Sequence, residues 1–204
     1  MSNIRRLIFG FLITSTSMVY GQVQKIEFEH LTMVNGLSSD IINCFLKDRN
    51  GFLWIGTENG LNKFDGYTFK IYKNIPQDST SLIDDAVTSL LQDKHGNIWV
   101  GTKGGLVQYI PEKDAFQINH LVFKDETISL YEDEKGDIFA SCHDSLYQMA
   151  YDKNNTLRLT RKILVGTSIV DFESNSKSPL LWILTDTLGQ YNTENGKLSK
   201  PGTG

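Results

Sequence analysis

Three short runs along the chain are apolar on both alternating faces: "DIINCFL" at 40–46, "DAVTSLL" at 85–91 and "DETISLY" at 125–131. Runs of this length and pattern predict strands buried on both sides. Each leads into a polar reversal, Asp48-Arg49-Asn50-Gly51, Asp93-Lys94-His95-Gly96 or Asp133-Glu134-Lys135-Gly136. The leading Asp can accept bonds from the turn's own amides and the closing Gly tolerates positive φ, so each reversal predicts a hairpin. A second strand follows, "FLWIGT" at 52–57 or "NIWVGT" at 97–102. After a short polar link comes a third strand from Leu61 or Leu106, and then a fourth, "YTFKIYK" at 67–73 or "DAFQINH" at 114–120. The three-and-four spacing of an amphipathic helix does not occur in these units.

The pattern repeats. "DRNGFLWIGT" at 48–57 returns as "DKHGNIWVGT" at 93–102, as "DEKGDIFASC" at 133–142 and, worn, as "SPLLWILT" at 178–185. The intervals from Trp54 to Trp99, to Phe139 and to Trp182 are 45, 40 and 43 residues. Periods of this size belong to propeller blades and to helical or leucine-rich arrays, and the strand pattern selects the first. The expected fold is therefore all-β, a β-propeller with about four four-stranded blades of an incomplete ring. The blades are expected at about 37–74, 82–120, 124–163 and 167–200, with a single outer strand at 25–32 ahead of them.

Positions fixed from unit to unit are expected to be scaffold. These are Asp48, Gly51, Trp54, Gly56, Thr57 and Gly60 in the first unit, and Asp93, Gly96, Trp99, Gly101, Thr102 and Gly105 in the second. Trp54, Trp99 and Trp182 fit packing between neighbouring sheets better than sugar stacking, because they recur at one strand position. Cys44 aligns with Ser89 and Ser129, and Cys142 with Thr57, Thr102 and Thr185, so both thiols read as small buried spectators with no disulfide between them. His30, His95, His120 and His143 have no metal-ligand spacing. The acidic pairs recur with the repeat, whereas paired catalytic carboxylates would sit asymmetrically across one cleft.

About 40% of the residues are apolar, enough at this length to bury roughly 70% of the unfolded surface without a disulfide or metal staple. Net charge is −4 and Lys and Arg form no cluster in the body of the chain, which argues against a surface that tracks nucleic-acid phosphates. Residues 1–21, with Arg5 and Arg6 ahead of an apolar run from Leu7 to about Val19 and then Val19-Tyr20-Gly21, read as a secretory signal peptide. Cleavage before Gln22 would leave 18 basic against 24 acidic side chains in an exported protein.

The phrase DxxGxLWIGTxxGLxxFD, preceded by "NGLSSDII" and followed by an aromatic outer strand, resembles the two-component regulator propeller repeats. Those repeats form the periplasmic sensor of hybrid two-component systems in Bacteroidetes. The resemblance is close over 36–73 and 81–110, partial in the third unit and faint in the fourth. It implies an ectodomain of two seven-bladed rings and an immunoglobulin-like module, anchored in the inner membrane, then a histidine kinase, a receiver and an AraC-type DNA-binding domain. On that comparison the chain reads as an N-terminal fragment whose partners are the remaining blades and the kinase portion of the same polypeptide. The implied function is non-enzymatic detection of a carbohydrate or glycan fragment in the periplasm, with no cofactor and no nucleic acid bound by this region; a dimer of the full-length receptor is compatible with it.

In propellers of this strand order the links between strands four and one share a face with those between strands two and three. That face offers Asp40, Asp85 and Asp125 from the first set and Glu58, Asn59, Lys103, His143, Asp144 and Asp186 from the second. Polar residues that vary on a repeated scaffold are where recognition is built, so these nine are the candidate ligand-binding residues. A secreted propeller enzyme, a lyase or glycosidase, and a protein-interaction propeller are the alternatives.

Overall fold

Each repeat folds into one sheet. The computed structural model describes residues 30–118, 126–127, 129–169, 171–174 and 180–199. The first sheet comprises β1 (Ile42–Lys47), β2 (Leu53–Thr57), β3 (Gly60–Phe64) and β4 (Phe69–Tyr72). The second comprises β5 (Val87–Gln92), β6 (Ile98–Thr102), β7 (Gly105–Ile110) and β8 (Ala115–Ile118). The third comprises β9 (Ser129–Glu132), β10 (Ile138–Cys142), β11 (Ser145–Tyr151) and β12 (Leu157–Leu164). The fourth comprises β13 (Asp171–Ser174), β14 (Leu180–Leu184), β15 (Leu188–Asn192) and β16 (Leu198–Ser199). Strands pair antiparallel in chain order within every sheet, and the sheets pack on one another in sequence, which is the blade architecture of a propeller. The ring is incomplete. Among the described residues the only helical element is a 3-10 turn, Met33–Asn35, capped by Thr32.

The repeated Asp and Trp explain each other. Asp48 Oδ1 accepts the amides of Asn50 and Phe52 at 2.9 and 3.0 Å, and its Oδ2 accepts the Trp54 indole N–H at 2.8 Å. Gly51 closes that turn at φ +91°, a conformation open to Gly at little cost. In the second sheet Asp93 takes the amides of His95 and Asn97 at 3.0 and 2.9 Å and the Trp99 indole at 2.9 Å. One carboxylate thus shapes the hairpin and fixes the ring that the next strand carries inward. The third sheet tests this reading: Phe139 has no N–H to offer, and Asp133, which keeps only its turn bonds to Lys135 and Asp137, is less buried than Asp48 or Asp93.

Those rings make the core. Trp54 meets Tyr109 of the second sheet edge-on at 4.8 Å between centroids and shares a cluster with Phe116, Ile98 and Val100. Trp99 packs with Ile138, Met149 and Leu157 of the third sheet, and Phe139 with Phe172, Leu181, Ile183 and Tyr191 of the fourth. Each ring points to the next sheet in chain order. Trp182 departs from the packing expectation: it is only half-buried, because no sheet stands on that face among the described residues.

The first innermost strand also departs from expectation. β1 is not buried on both sides; Phe45 is 77% exposed and Ile42 49%. Cys44 and Leu46 pack toward the second sheet, whereas the opposite face has no neighbour. In β5, which has a sheet on either side, Val87 is fully buried. Of the outer strand expected at 25–32, residues 25–29 lie outside the described residues and His30 to Thr32 run in coil. The signal-peptide segment, residues 1–21, also lies outside them.

Gly56 marks where sheets approach most closely. A Cβ there would lie 2.5 Å from Cys44 Sγ and 2.6 Å from Val87 Cγ1. Leu184, at the same repeat position in the fourth sheet, is tolerated because its face is open and the side chain 45% exposed. Gly56→Ala is expected to destabilise the protein by about 1–3 kcal/mol through overpacking, read as a shift of the urea midpoint. An unchanged midpoint would show that the first two sheets can separate without cost.

Candidate functional site

The two sets of links meet on one face, joined through their backbones. Glu58 N–H donates to Ile41 O at 3.2 Å and Lys103 N–H to Ala86 O at 3.0 Å. Gly60 N–H reaches across to Asp85 O at 2.7 Å, and Ile169 N–H to His143 O at 2.6 Å. The repeated Thr shapes the link itself: Thr57 Oγ1 donates to Gly60 O at 2.9 Å and accepts the Asn59 amide at 3.1 Å. Thr102 and Thr185 do the same with Gly105 O and Thr187 O, both at 2.8 Å. In the third link Ser145 stands in the Gly position, and positive φ falls on His143 instead, at +46°.

Three polar side chains come together on this face at the seam between the first two sheets. Glu58 accepts the Asn43 side-chain amide at 3.1 Å on one oxygen and pairs with Lys103 at 3.2 Å through the other. Asn43 also donates to Val87 O at 2.8 Å, which anchors the group to β5. The hydrogen bond from Asn43, then that from Lys103, holds the Glu58 carboxyl below its ordinary range. Beside them Asn59 donates to Ser38 O at 3.1 Å and accepts Lys73 Nζ at 2.7 Å. The result is an exposed, charged and hydrogen-bonding surface whose donors and acceptors are held by the scaffold.

The other candidates stand apart from that group. Asp40 Oδ1 accepts the Met33 amide at 3.1 Å and Asp85 Oδ1 the Asn74 amide at 2.6 Å, so both carboxylates fasten the chain segment that enters their sheet. Asp144 accepts the hydroxyl of its neighbour Ser145 at 2.9 Å, and Asp186 Oδ1 lies 3.0 Å from the Thr185 hydroxyl, whose one hydrogen it shares with Thr187 O. His143 is exposed at the seam of the third and fourth sheets. Asp125 lies outside the described residues.

Sequence reading passed over Asn43 because it sits within an apolar run. It also passed over Ser38 and Asn62, which join the scaffold residue Thr57 in a buried polar network: Asn62 bonds the Ser38 amide at 2.9 Å and the Ser38 hydroxyl at 2.8 Å, and that hydroxyl lies 2.9 Å from Thr57 Oγ1. Asp114 likewise carries no repeat signature, yet it accepts the hydroxyls of Tyr72 and Tyr109 at 2.6 and 2.7 Å and pairs with Lys70, tying the turn of one sheet to the outer strand of another.

A cavity of about 330 Å³ lies against β8, lined by Thr80, Ile110, Lys113, Phe116 and Ile118 among others. None of the nine candidate residues lines it. Burial pushes the Cys44 thiol up to about 12, against a smaller opposing bond from the Gly56 backbone, so it stays protonated at neutral pH. Cys142 is buried, and neither cysteine is in a disulfide. Among the described residues no three His, Cys, Asp or Glu side chains are placed to hold a metal ion, and no helix is long and apolar enough to cross a membrane.

Comparison with known proteins agrees with the repeat. The family model of the two component regulator propeller matches residues 36–59 and 81–104. Histidine kinase P4 of Formosa agariphila is 45% identical over 76 residues, 37% of this chain and 5% of that protein. The extracellular domain of a hybrid two component system from B. thetaiotaomicron superposes with a TM-score of 0.55 at 18% identity, over 84% of this chain and 31% of that one. A virginiamycin B lyase from Staphylococcus aureus superposes with a TM-score of 0.61 at 12% identity, over 83% of this chain and 58% of that one. The chain thus spans a small part of the kinase and about a third of the hybrid-system domain, and at these identities the two superpositions carry the propeller fold alone.

Proposed function

We propose, on the premise that this chain carries two-component regulator propeller repeats, that it is part of the extracytoplasmic sensor of a hybrid histidine kinase and detects an oligosaccharide on its link face. The observation that carries this reading is the Asn43, Glu58 and Lys103 group, with Asn59 beside it. It presents fixed donors and acceptors at the seam of the two sheets that the family model matches. Sugar hydroxyls are both donors and acceptors, and a surface offering a carboxylate, an ammonium and two amides can satisfy them from either side. Binding at a seam also gives the ligand a grip on how two blades sit, the differential contact that any signalling change requires.

The module acts by binding and not by turnover. Its kinase, inner-membrane anchor and remaining blades belong to the longer polypeptide, and export by residues 1–21 places it in the periplasm. The likeness to a lyase supports the fold and supplies no acid–base pair to this face.

The test is calorimetry against a panel of defined oligosaccharides. Any sugar that binds is expected to lose about tenfold in affinity, about 1.4 kcal/mol, on Lys103→Ala or Glu58→Ala, with melting temperature held. Full affinity in both variants would move the site off this face, and sugar hydrolysis or elimination by the purified chain would replace the sensor reading with an enzymatic one.

A further inference from the structure

The hairpin turn of the third sheet has exchanged donors for acceptors. In the second sheet Asp93 Oδ2 sits among three donors, the Asn97 side-chain amide at 2.9 Å, the Trp99 indole at 2.9 Å and the Tyr151 hydroxyl. The third sheet keeps that carboxylate as Asp133, but sets Asp137 in the place of Asn97 and Phe139 in the place of Trp99. Asp133 Oδ1 still takes the amides of Lys135 and Asp137, at 3.0 and 2.8 Å, whereas Oδ2 accepts no bond among the described residues. A buried amide is aimed at the same turn. Gln148, opposite Phe139 in the sheet, is 8% exposed and donates its Nε2 to Asp137 Oδ2 at 2.7 Å. Its Oε1 is buried without a hydrogen-bond partner, an acceptor whose loss of water nothing offsets. The cations nearby are engaged elsewhere. Lys94, which reaches this turn, bonds the Lys135 carbonyl, and Arg161, opposite Gln148 on β12, bonds the Tyr191 hydroxyl at 2.8 Å. Among the described residues neither Asp133 nor Asp137 is in an ion pair.

We propose that this turn binds a calcium ion through Asp133 Oδ2, the Asp137 carboxylate and Gln148 Oε1, with water completing the shell. The donor set selects the ion. All three ligands are oxygens and two are charged; Asp133 and Asp137 come from one turn and Gln148 from β11, an irregular arrangement. Calcium accepts carboxylates and amide carbonyls in flexible shells of about six to eight oxygens, whereas magnesium demands a near-ideal octahedron and gives up its water reluctantly. The third ligand is an amide oxygen, so the site needs no third His, Cys or carboxylate. In the third sheet the ion does what the indole and phenol do in the second, tying the turn carboxylate to its surroundings by positive charge in place of donor hydrogens. Two charged ligands on a partly exposed turn set the Kd at about 10⁻⁴–10⁻³ M, the range of extracellular calcium modules. The inference goes beyond the sensor reading and does not depend on it, since the hairpin turns lie at the strand ends opposite the link face.

Thermal melting of the full chain, first stripped with a chelator and then titrated with calcium chloride, tests this. Calcium at ten times its Kd is expected to raise the melting temperature by about 3–6 °C, and magnesium at the same concentration by far less. Asp137→Asn installs the amide that Asn97 supplies in the second sheet. It should abolish the calcium shift, yet in chelator it should melt no lower than the parent, because Asp133 gains a donor and loses a like charge. Gln148→Met keeps the length of the side chain and removes the amide, and calorimetry should then show calcium affinity reduced by at least about tenfold. A parent that does not respond to calcium, or responds equally to magnesium, would overturn the proposal. So would a calcium shift retained in Asp137→Asn, an Asp137→Asn chain that melts below the parent in chelator, or full calcium affinity in Gln148→Met.

Discussion

Trp54→Ala is expected to unfold much of the chain at temperatures where the parent is native. Trp54 is fully buried, stands edge-on to Tyr109 at 4.8 Å, stacks near Tyr72 at 6.0 Å and lies under the Lys63 ammonium at 5.0 Å. Emptying that space costs about 3–5 kcal/mol. Removing the indole also strands one oxygen of buried Asp48, a further loss of about 1–3 kcal/mol. Set against a total stability of about 5–15 kcal/mol for a domain, the sum is a large fraction. Trp54→Phe separates the two contributions, since it keeps most of the packing and loses the bond to Asp48; it should cost only about 1–3 kcal/mol. The third sheet already lives with that arrangement in Phe139 and Asp133. Urea unfolding of the two variants checks the order. Equal losses would show that the hydrogen bond dominates, and an unaltered Trp54→Ala would show that the first two sheets do not share a core.

The repeat made the sheets legible because strand period and turn chemistry are local. Asp48 and Trp54 could be marked as scaffold for the same reason, but not as partners. Their contact depends on the hairpin register that sets Leu46 opposite Trp54 and swings the indole back over the turn. Burial of β1 was overestimated because an apolar run records what a strand can bury, while exposure depends on whether a neighbouring sheet is there. Asp40 and Asp85 are candidate ligand-binding residues by their place at the entrance to the innermost strands. They are engaged by amides of Met33 and Asn74, and no periodic signal encodes the path of those incoming segments.

The latches between innermost strands show the limit most plainly. Asn43 donates to Val87 O and Thr88 to Thr127 O, the same bond at the same repeat position on successive sheets. An amide and a hydroxyl perform one task, so alignment by residue type passes over it. The candidate site inherits this difficulty. Glu58 and Lys103 occupy corresponding links of consecutive repeats and read as two separate variable residues in the sequence, but the packing of the first sheet on the second brings their side chains to 3.2 Å.

Asp93→Asn is expected to weaken the contact between the second and third sheets and to flatten the acid limb of the stability curve. Asp93 is buried, and besides its turn amides and the Trp99 indole it accepts the side-chain amide of Asn97 at 2.9 Å and the hydroxyl of Tyr151 from β11. Burial alone would raise its pKa. The bonds from Tyr151, Trp99 and Asn97 together outweigh burial and hold the carboxyl below its usual range. The same burial, then the Asp93 charge, pushes the Tyr151 hydroxyl upward, which keeps it a donor at any ordinary pH. Because the folded-state pKa of Asp93 lies below the unfolded value of about 3.9, its contribution is complete above that value and is lost as pH falls through the folded one. An asparagine fills the same space but has one acceptor oxygen, so its amide must point a donor either at the turn or at the indole and phenol. At neutral pH this should cost about 2–4 kcal/mol, the scale of charge-assisted bonds lost and donors left unpaired. Tyr151→Phe should cost less, and the two changes together should cost less than their sum, since both remove one bond. Chemical unfolding of the four proteins at neutral pH and again below about pH 4 reads each part. Additive losses, or an acid limb as steep in Asp93→Asn as in the parent, would place the acid sensitivity in other carboxylates and reduce Asp93 to a turn residue.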